Sequence, residues 1–218
     1  MSIFAHSHPK GTIHETRDRF AHVRAVAESP IERALAEELL EQWRFCLIPN
    51  DSFYDWEPSS CEAAFVLQLK VGRYRLDMAF RLIGHDGREH LVAIECDGKK
   101  FHETPEAVER DSARDAFLKS RGWQVWRYPG WLIHYAASEV ADEIERGLES
   151  LRHSQEPDLV FSKNHIRKPA IMRDYEIAFY AYRDCGVWPA HLGENPEQRG
   201  WEDIHDVIND PTLQERAA

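Results

Sequence analysis

The stretch RYRLDMAFRLIGHDGREHLVAIECDGKK, Arg73 to Lys100, decides how this 218-residue chain is read. Tyr74, Leu76, Met78, Phe80 and Leu82 alternate with Arg73, Arg75, Asp77, Ala79 and Arg81. That two-residue period predicts a strand with its five apolar side chains on one face and Asp77 on the other. Gly84-His85-Asp86-Gly87 has the composition of a hairpin turn. A partner strand follows from about Glu89 to Asp97. In it Val92, Ile94 and Cys96 share one face, and Ala93, Glu95 and Asp97 share the other. The hairpin lays the two strands side by side, so three carboxylates are expected to converge on one face of a sheet.

Working outward, Phe65, Leu67 and Leu69 alternate with Val66, Gln68 and Lys70, a third strand that begins near Glu62 and breaks at Gly72. Upstream, Ser29-Pro30-Ile31-Glu32 reads as a helix start. Ser29 caps, Pro30 takes the first helical position and Glu32 closes a capping box. Ile31, Leu35 and Leu39 put an apolar stripe on the core, and the helix should fade near Arg44, before the loop-like residues 49–60. Downstream, Pro105 opens a helix to about Arg121, which Gly122 caps. Trp123 to Tyr128 is a further strand, and Ser138 to Leu151 has helical spacing. The order helix, three strands, helix, strand, helix predicts an α/β fold with a small mixed sheet flanked by helices. Residues 1–28 are polar and His-rich with no clear period. Residues 29–152 form the predicted domain. Residues 153–218 read as a helical extension, with helices near 171–184 and 198–209, that packs on the core or on a partner.

Composition narrows the classes. Hydrophobic residues make up 43% of the chain, enough for a core. No apolar run is long enough to span a bilayer, and Met1 to Lys10 has no signal-peptide pattern, so a cytoplasmic protein is expected. Cys46, Cys61, Cys96 and Cys185 form no CxxC pair and are expected as free thiols. His6, His8 and His14 read as solvated. The formal charge of -11 argues against non-specific coating of nucleic acid. Basic residues nevertheless gather mid-chain (Lys70, Arg73, Arg75, Arg81, Lys99, Lys100), while acids crowd Glu139–Glu149 and Glu194–Asp210. No G-x-S-x-G elbow and no G-x-x-x-x-G-K-[ST] loop is present.

Close carboxylates repel, so one must take a proton or a cation must sit among them. Oxygen ligands favour Mg²⁺ or Mn²⁺, and such an ion polarises a phosphoryl oxygen and lowers the pKa of attacking water. A solvated ladder of acids with Arg75 and Arg81 fits the periodicity equally well. Gly98 directly after Asp97, at a strand end before a loop and helix, favours a ligand site.

Four segments then occur in order: Leu76-Asp77-Met78-Ala79-Phe80, Ile94-Glu95-Cys96-Asp97-Gly98-Lys99-Lys100-Phe101-His102, Arg110-Asp111-Ser112-Ala113-Arg114-Asp115, and Gly122-Trp123-Gln124-Val125-Trp126-Arg127. Together they resemble the restriction-endonuclease-like PD-(D/E)xK nucleases over roughly residues 29–152. The nearest likeness is to the very-short-patch-repair-like branch, also found as a terminal domain of bacterial helicases. The resemblance implies a restriction-endonuclease-like core (α-β-β-β-α-β), a Mg²⁺- or Mn²⁺-dependent endonuclease activity on DNA, and roles in repair, restriction or defence. It makes Asp77 and Glu95 metal-binding acids, with the Cys96 carbonyl as a further ligand. Glu32 matches an acid of the first helix, though capping alone explains it. Gln68 matches a polar residue of the branch that orients water or contacts phosphate, or simply faces solvent.

The third motif position is Asp97 where the general pattern has lysine. The branch carries a later histidine, here His102, as general base or leaving-group aid; a helix-cap role is the plain alternative. Lys99 or Lys100 would supply the missing charge, or lie in a solvated loop. Arg110, Arg114 and Arg121 fall within about 40° on the following helix. They form either a phosphate-gripping row with Lys70 and Arg75 nearby or partners for Asp111 and Asp115. Trp123, Trp126 and Trp131 read as core or rim aromatics. The alternative to an enzyme is an inactive nuclease-fold module that binds nucleic acid or a protein, a helicase or other partner reached through residues 153–218.

Overall fold

The computed structural model describes residues 16–41, 45–58, 61–97, 105–159, 161–162, 170–203, 206–207 and 210–213. Its elements are α1 (Thr16–Val26), α2 (Pro30–Glu41), β1 (Phe45–Leu47), β2 (Ala63–Val71), β3 (Tyr74–Ile83), β4 (Glu89–Asp97), α3 (Pro105–Lys119), β5 (Trp123–Pro129), α4 (Gly130–Arg152), α5 (Ala170–Cys185) and the one-turn α6 (Pro196–Arg199). The five strands form one sheet in sequence order. β1 runs parallel to β2, β2–β3 and β3–β4 are antiparallel, and β4–β5 is parallel. This is a mixed α/β sheet flanked by helices with a helical C-terminal part.

Each face of the sheet covers its own apolar cluster. The larger holds Leu35, Leu39, Phe65, Phe80, Ile94 and Tyr128 beneath α2 and α4. The smaller holds Ala79, Ala93 and Trp123 against Leu118 of α3 and against Phe53 and Trp56 of the loop after β1. Arg81 holds that loop, donating from Nη1 to the Phe53 carbonyl at 3.3 Å and to the Trp56 carbonyl. Trp123 and Trp126 are 3% exposed and belong to the core.

Several expectations need correction. β1 stands where only a fading helix and a loop were expected, because three fully buried residues are too short to show a period. α1 lies inside the polar N-terminal segment and docks through the buried Val23, with Phe20 and Val26 partly buried against the same cluster. Cys46 and Cys61 are disulfide-bonded, with Cα atoms 5.7 Å apart, rather than free; the parallel register of β1 on β2 brings their chain segments together. Of the span 198–209 expected as one helix, 206–207 are helical and 200–203 are not, and its start overlaps a separate one-turn helix, Pro196–Arg199. An Asn195–Gln198 capping box starts it and Gly200, at φ 70°, ends it in a left-handed turn.

The alternation in β2 and β3 is also broken. Leu67 and Met78 enter the larger cluster, whereas Leu69 and Leu76 enter the smaller. The register pairs Leu67 with Met78 and Leu69 with Leu76, leaving Gln68 and Asp77 between them. Gln68 has φ 55°. That left-handed residue rotates β2 by one side-chain step and marks a strained point of the kind that gathers at functional sites.

The C-terminal segment packs on the core. Leu159, Phe161, Tyr175, Phe179, Tyr180, Leu192 and Trp201 are buried in the cluster that holds the sheet's larger face. Glu143 of α4, 1% exposed, accepts the backbone N–H groups of Phe161 at 2.9 Å and Ser162 at 3.3 Å. A buried carboxylate so satisfied ties the incoming chain to α4.

Candidate active site at the open end of the central hairpin

The β3–β4 ladder runs from the turn to the pair Met78–Ile94 and stops. The next residues along the two strands are Asp77 and Glu95. β4 keeps its pairing with β5 through Asp97, so β3 and β4 part at this point and open a cleft. The Cys96 N–H, which has lost its β3 partner, donates instead to Asp77 Oδ2 at 2.8 Å. An acid therefore replaces a strand carbonyl.

α2 and α3 close the cleft from either side. Glu32 is 8% exposed and accepts from the Glu28 N–H at 2.9 Å, from Ser29 Oγ at 2.8 Å and from Gln68 Nε2 at 2.7 Å. Half of the predicted capping box forms, the Glu32 N–H donating to Ser29 Oγ at 3.2 Å, while the Glu32 carboxylate takes the Glu28 N–H rather than that of Ser29 and reaches across to β2. Gln68 Oε1 is buried with no hydrogen-bond partner. From α3, Arg114 Nη2 lies 2.5 Å from both Glu95 oxygens and 3.0 Å from the Arg75 carbonyl.

Burial dominates the electrostatics. It pushes Asp77 up to about 6, opposed by the Cys96 N–H and reinforced by Glu32. It pushes Glu95 up to about 8, opposed by Arg114 and reinforced by Asp77 and Asp97. The Cys96 thiol is also driven upward by burial and by Asp77, so it stays neutral. Two acids held above their ordinary range by desolvation and mutual repulsion create a demand for positive charge.

The other expected residues divide. Asp97 acts on both acids through its charge. Arg75 pairs with Glu28, and Lys70 and Arg110 are exposed. Arg121 stacks on the Phe117 ring, 3.8 Å from its centroid. The row Arg110–Arg114–Arg121 is therefore split three ways: one residue in solvent, one in the acidic cleft and one on an aromatic. Lys99, Lys100 and His102 lie outside the described residues, as do His6, His8 and His14. Arg127 was not singled out from the sequence, yet it is paired with both oxygens of Asp115 and lies within electrostatic range of Glu95. Its signal was the spacing from Asp115, which only the α3–β5 packing turns into a contact.

Among the described residues, no group of three or more His, Cys, Asp or Glu side chains gathers closely enough to hold a metal by itself. The chemistry of the donors still fits a hard divalent ion. Asp77 and Glu95 supply carboxylate oxygens, and Gln68, which lies across from Asp77 in the β2–β3 register, has an unpartnered amide oxygen Oε1.

A mixed sheet whose central hairpin parts at two buried acids, with a helix on each side, is consistent with a restriction-endonuclease-like fold. Residues 59–147 match the model of one such family, REase_MTES_1575. That segment includes β2 to β5, the acids and Arg114. The match does not select the very-short-patch-repair-like branch. No curated protein and no solved structure gives a match. No helix among the described residues is long and apolar enough to cross a membrane.

Proposed function

We propose that this protein is a divalent-metal-dependent endonuclease that hydrolyses phosphodiester bonds of DNA. The family match supports a nuclease. The observation that carries the finer proposal is the pair Asp77–Glu95 at the end of the β3–β4 ladder, both buried and both held above the ordinary carboxylate range. Asp77 and Glu95, with the Cys96 carbonyl, would hold Mg²⁺ or Mn²⁺. When bound, the ion supplies charge neutralisation at the phosphate and a lowered pKa for attacking water. Asp77 is oriented by the Cys96 N–H, and Glu95 by Arg114. Gln68 is positioned by Glu32, with Oε1 left for a water or phosphate-bound ligand. Lys70 and Arg110, exposed on the surface, are candidates for backbone phosphate contacts.

A second reading is a nuclease-fold module that binds nucleic acid or a protein without cutting. Asp97 in place of lysine favours it, because the usual positive group beside the attacking water is missing.

Plasmid nicking in Mg²⁺, Mn²⁺ or EDTA separates the two. Cleavage is expected with either metal and is expected to stop with EDTA. Asp77→Ala and Glu95→Ala are each expected to lower it by about a hundredfold or more, with the fold retained. Full activity in both variants would refute the site. Metal-dependent binding without nicking on duplex, branched and single-stranded DNA would favour the module.

A further inference from the structure

Arg114 makes the shortest contacts in the cleft, and the role of a phosphate-gripping residue does not account for them. Its Nη2 straddles the open edge of the Glu95 carboxylate at 2.5 Å from each oxygen. The Glu95 side chain is 5% exposed and that of Arg114 is 24% exposed, so the guanidinium lies on the solvent side and covers the acid. Arg114 has only one other bond, to the Arg75 carbonyl, and its Nε has no partner. The second cation in range, Arg127, is already committed to Asp115. Among the described residues, Glu95 therefore has one guanidinium in direct contact.

This inference rests on the function proposed above. We propose that Arg114 is the resident counter-ion of Glu95 and that it gives up this carboxylate when a divalent cation enters the site. Glu95 cannot present the same oxygen edge to both. A dication gains twice the Coulomb energy of a guanidinium at equal distance from each carboxylate. It also draws on Asp77, to which Arg114, tethered to α3, makes no hydrogen bond among the described contacts. In its place Arg114 offsets the repulsion between Asp77 and Glu95 in the metal-free protein. Metal affinity is thereby set by exchange rather than by filling an open cage.

The test uses the full-length protein and Mg²⁺ alone, without DNA. The side-chain Nε–Hε signal of Arg114, identified by its loss in Arg114→Lys, is followed by ¹⁵N NMR during a Mg²⁺ titration, with calorimetry on the same samples. The signal is expected to move and to saturate with the calorimetric midpoint. Arg114→Ala is expected to bind Mg²⁺ at least about ten-fold more tightly, with Arg114→Lys between it and the wild type. A fixed Arg114 signal at Mg²⁺ saturation, or an Arg114→Ala affinity equal to or below wild type, overturns the exchange while leaving the metal site intact. Should Arg114→Ala not fold, the NMR arm alone decides. Failure of the underlying function looks different: neither wild type nor Arg114→Lys would bind Mg²⁺ or Mn²⁺, and Glu95→Gln would behave as wild type.

Discussion

Asp77 and Glu95 are ordinary residues in sequence and unusual ones in place. Each is held where its charged form is disfavoured, and the sign of that shift has a consequence for stability. Asp77 titrates from about 6 in the fold against an ordinary 3.8. Glu95 titrates from about 8 against 4.5. The folded state thus holds protons that the unfolded chain has lost, so these two groups contribute stability at low pH that disappears as pH rises between about 4 and 8. In metal-free buffer the melting temperature is expected to fall across that window. Asp77→Asn and Glu95→Gln should each flatten the fall, and Mg²⁺ should raise the wild-type melting temperature more at pH 8 than at pH 5. A slope that neither substitution changes would show that other groups are responsible. Asp77 and Glu95 could both be picked out from strand periodicity. The Arg114 contact could not, because a helical wheel shows which residues share a face but not what that face meets.

The elements succeed or fail as predictions according to length. β3, β4, β5, α2 and α3 each carry enough residues for their period to show, and each lies close to its expected span. β1, with three residues, and α1, with Val23 buried and Phe20 and Val26 only partly so, do not. α4 begins eight residues earlier than expected, at Gly130, with non-helical backbone at Ala136 inside it. Its packing is tight at Gly147, where a Cβ would meet Trp126 Cη2 at 2.8 Å and Leu159 Cδ2 at 3.0 Å. Gly147→Ala is therefore expected to destabilise by about 1–3 kcal/mol in chemical denaturation, although alanine is the better helix former. An unchanged midpoint would mean that Trp126 moves aside freely. The Cys46–Cys61 link closes a segment with a sequence separation of 15. Reduction is expected to cost about 3 kcal/mol, read as a lower melting temperature with dithiothreitol that Cys46→Ser reproduces. A disulfide is uncommon in a reducing compartment, so the cysteines lend no weight to the cytoplasmic expectation.

Taken whole, the extension expected from residue 153 packs on the core rather than standing apart from it: its aromatic residues lie in the same apolar cluster as the sheet's larger face. Among the described residues, ten buried ones from Leu159 to Leu213 belong to it, and removing them would expose the apolar surface they cover to water. A chain ending at Arg152 is expected to lose its near-ultraviolet circular dichroism and to bind ANS. A truncated protein with native spectra would show that the core folds without the extension.

Periodicity, capping and turn chemistry are local properties, and they were enough to place the hairpin and the helices on either side and to mark its acids as candidates. Where β3 leaves β4, which way Gln68 turns the chain, and which cation covers Glu95 all depend on contacts between residues far apart in sequence: 67 with 78, 32 with 68, 95 with 114. Such pairings are chosen by the packing of whole layers. No window along the chain contains both partners, so only the folded arrangement reveals them.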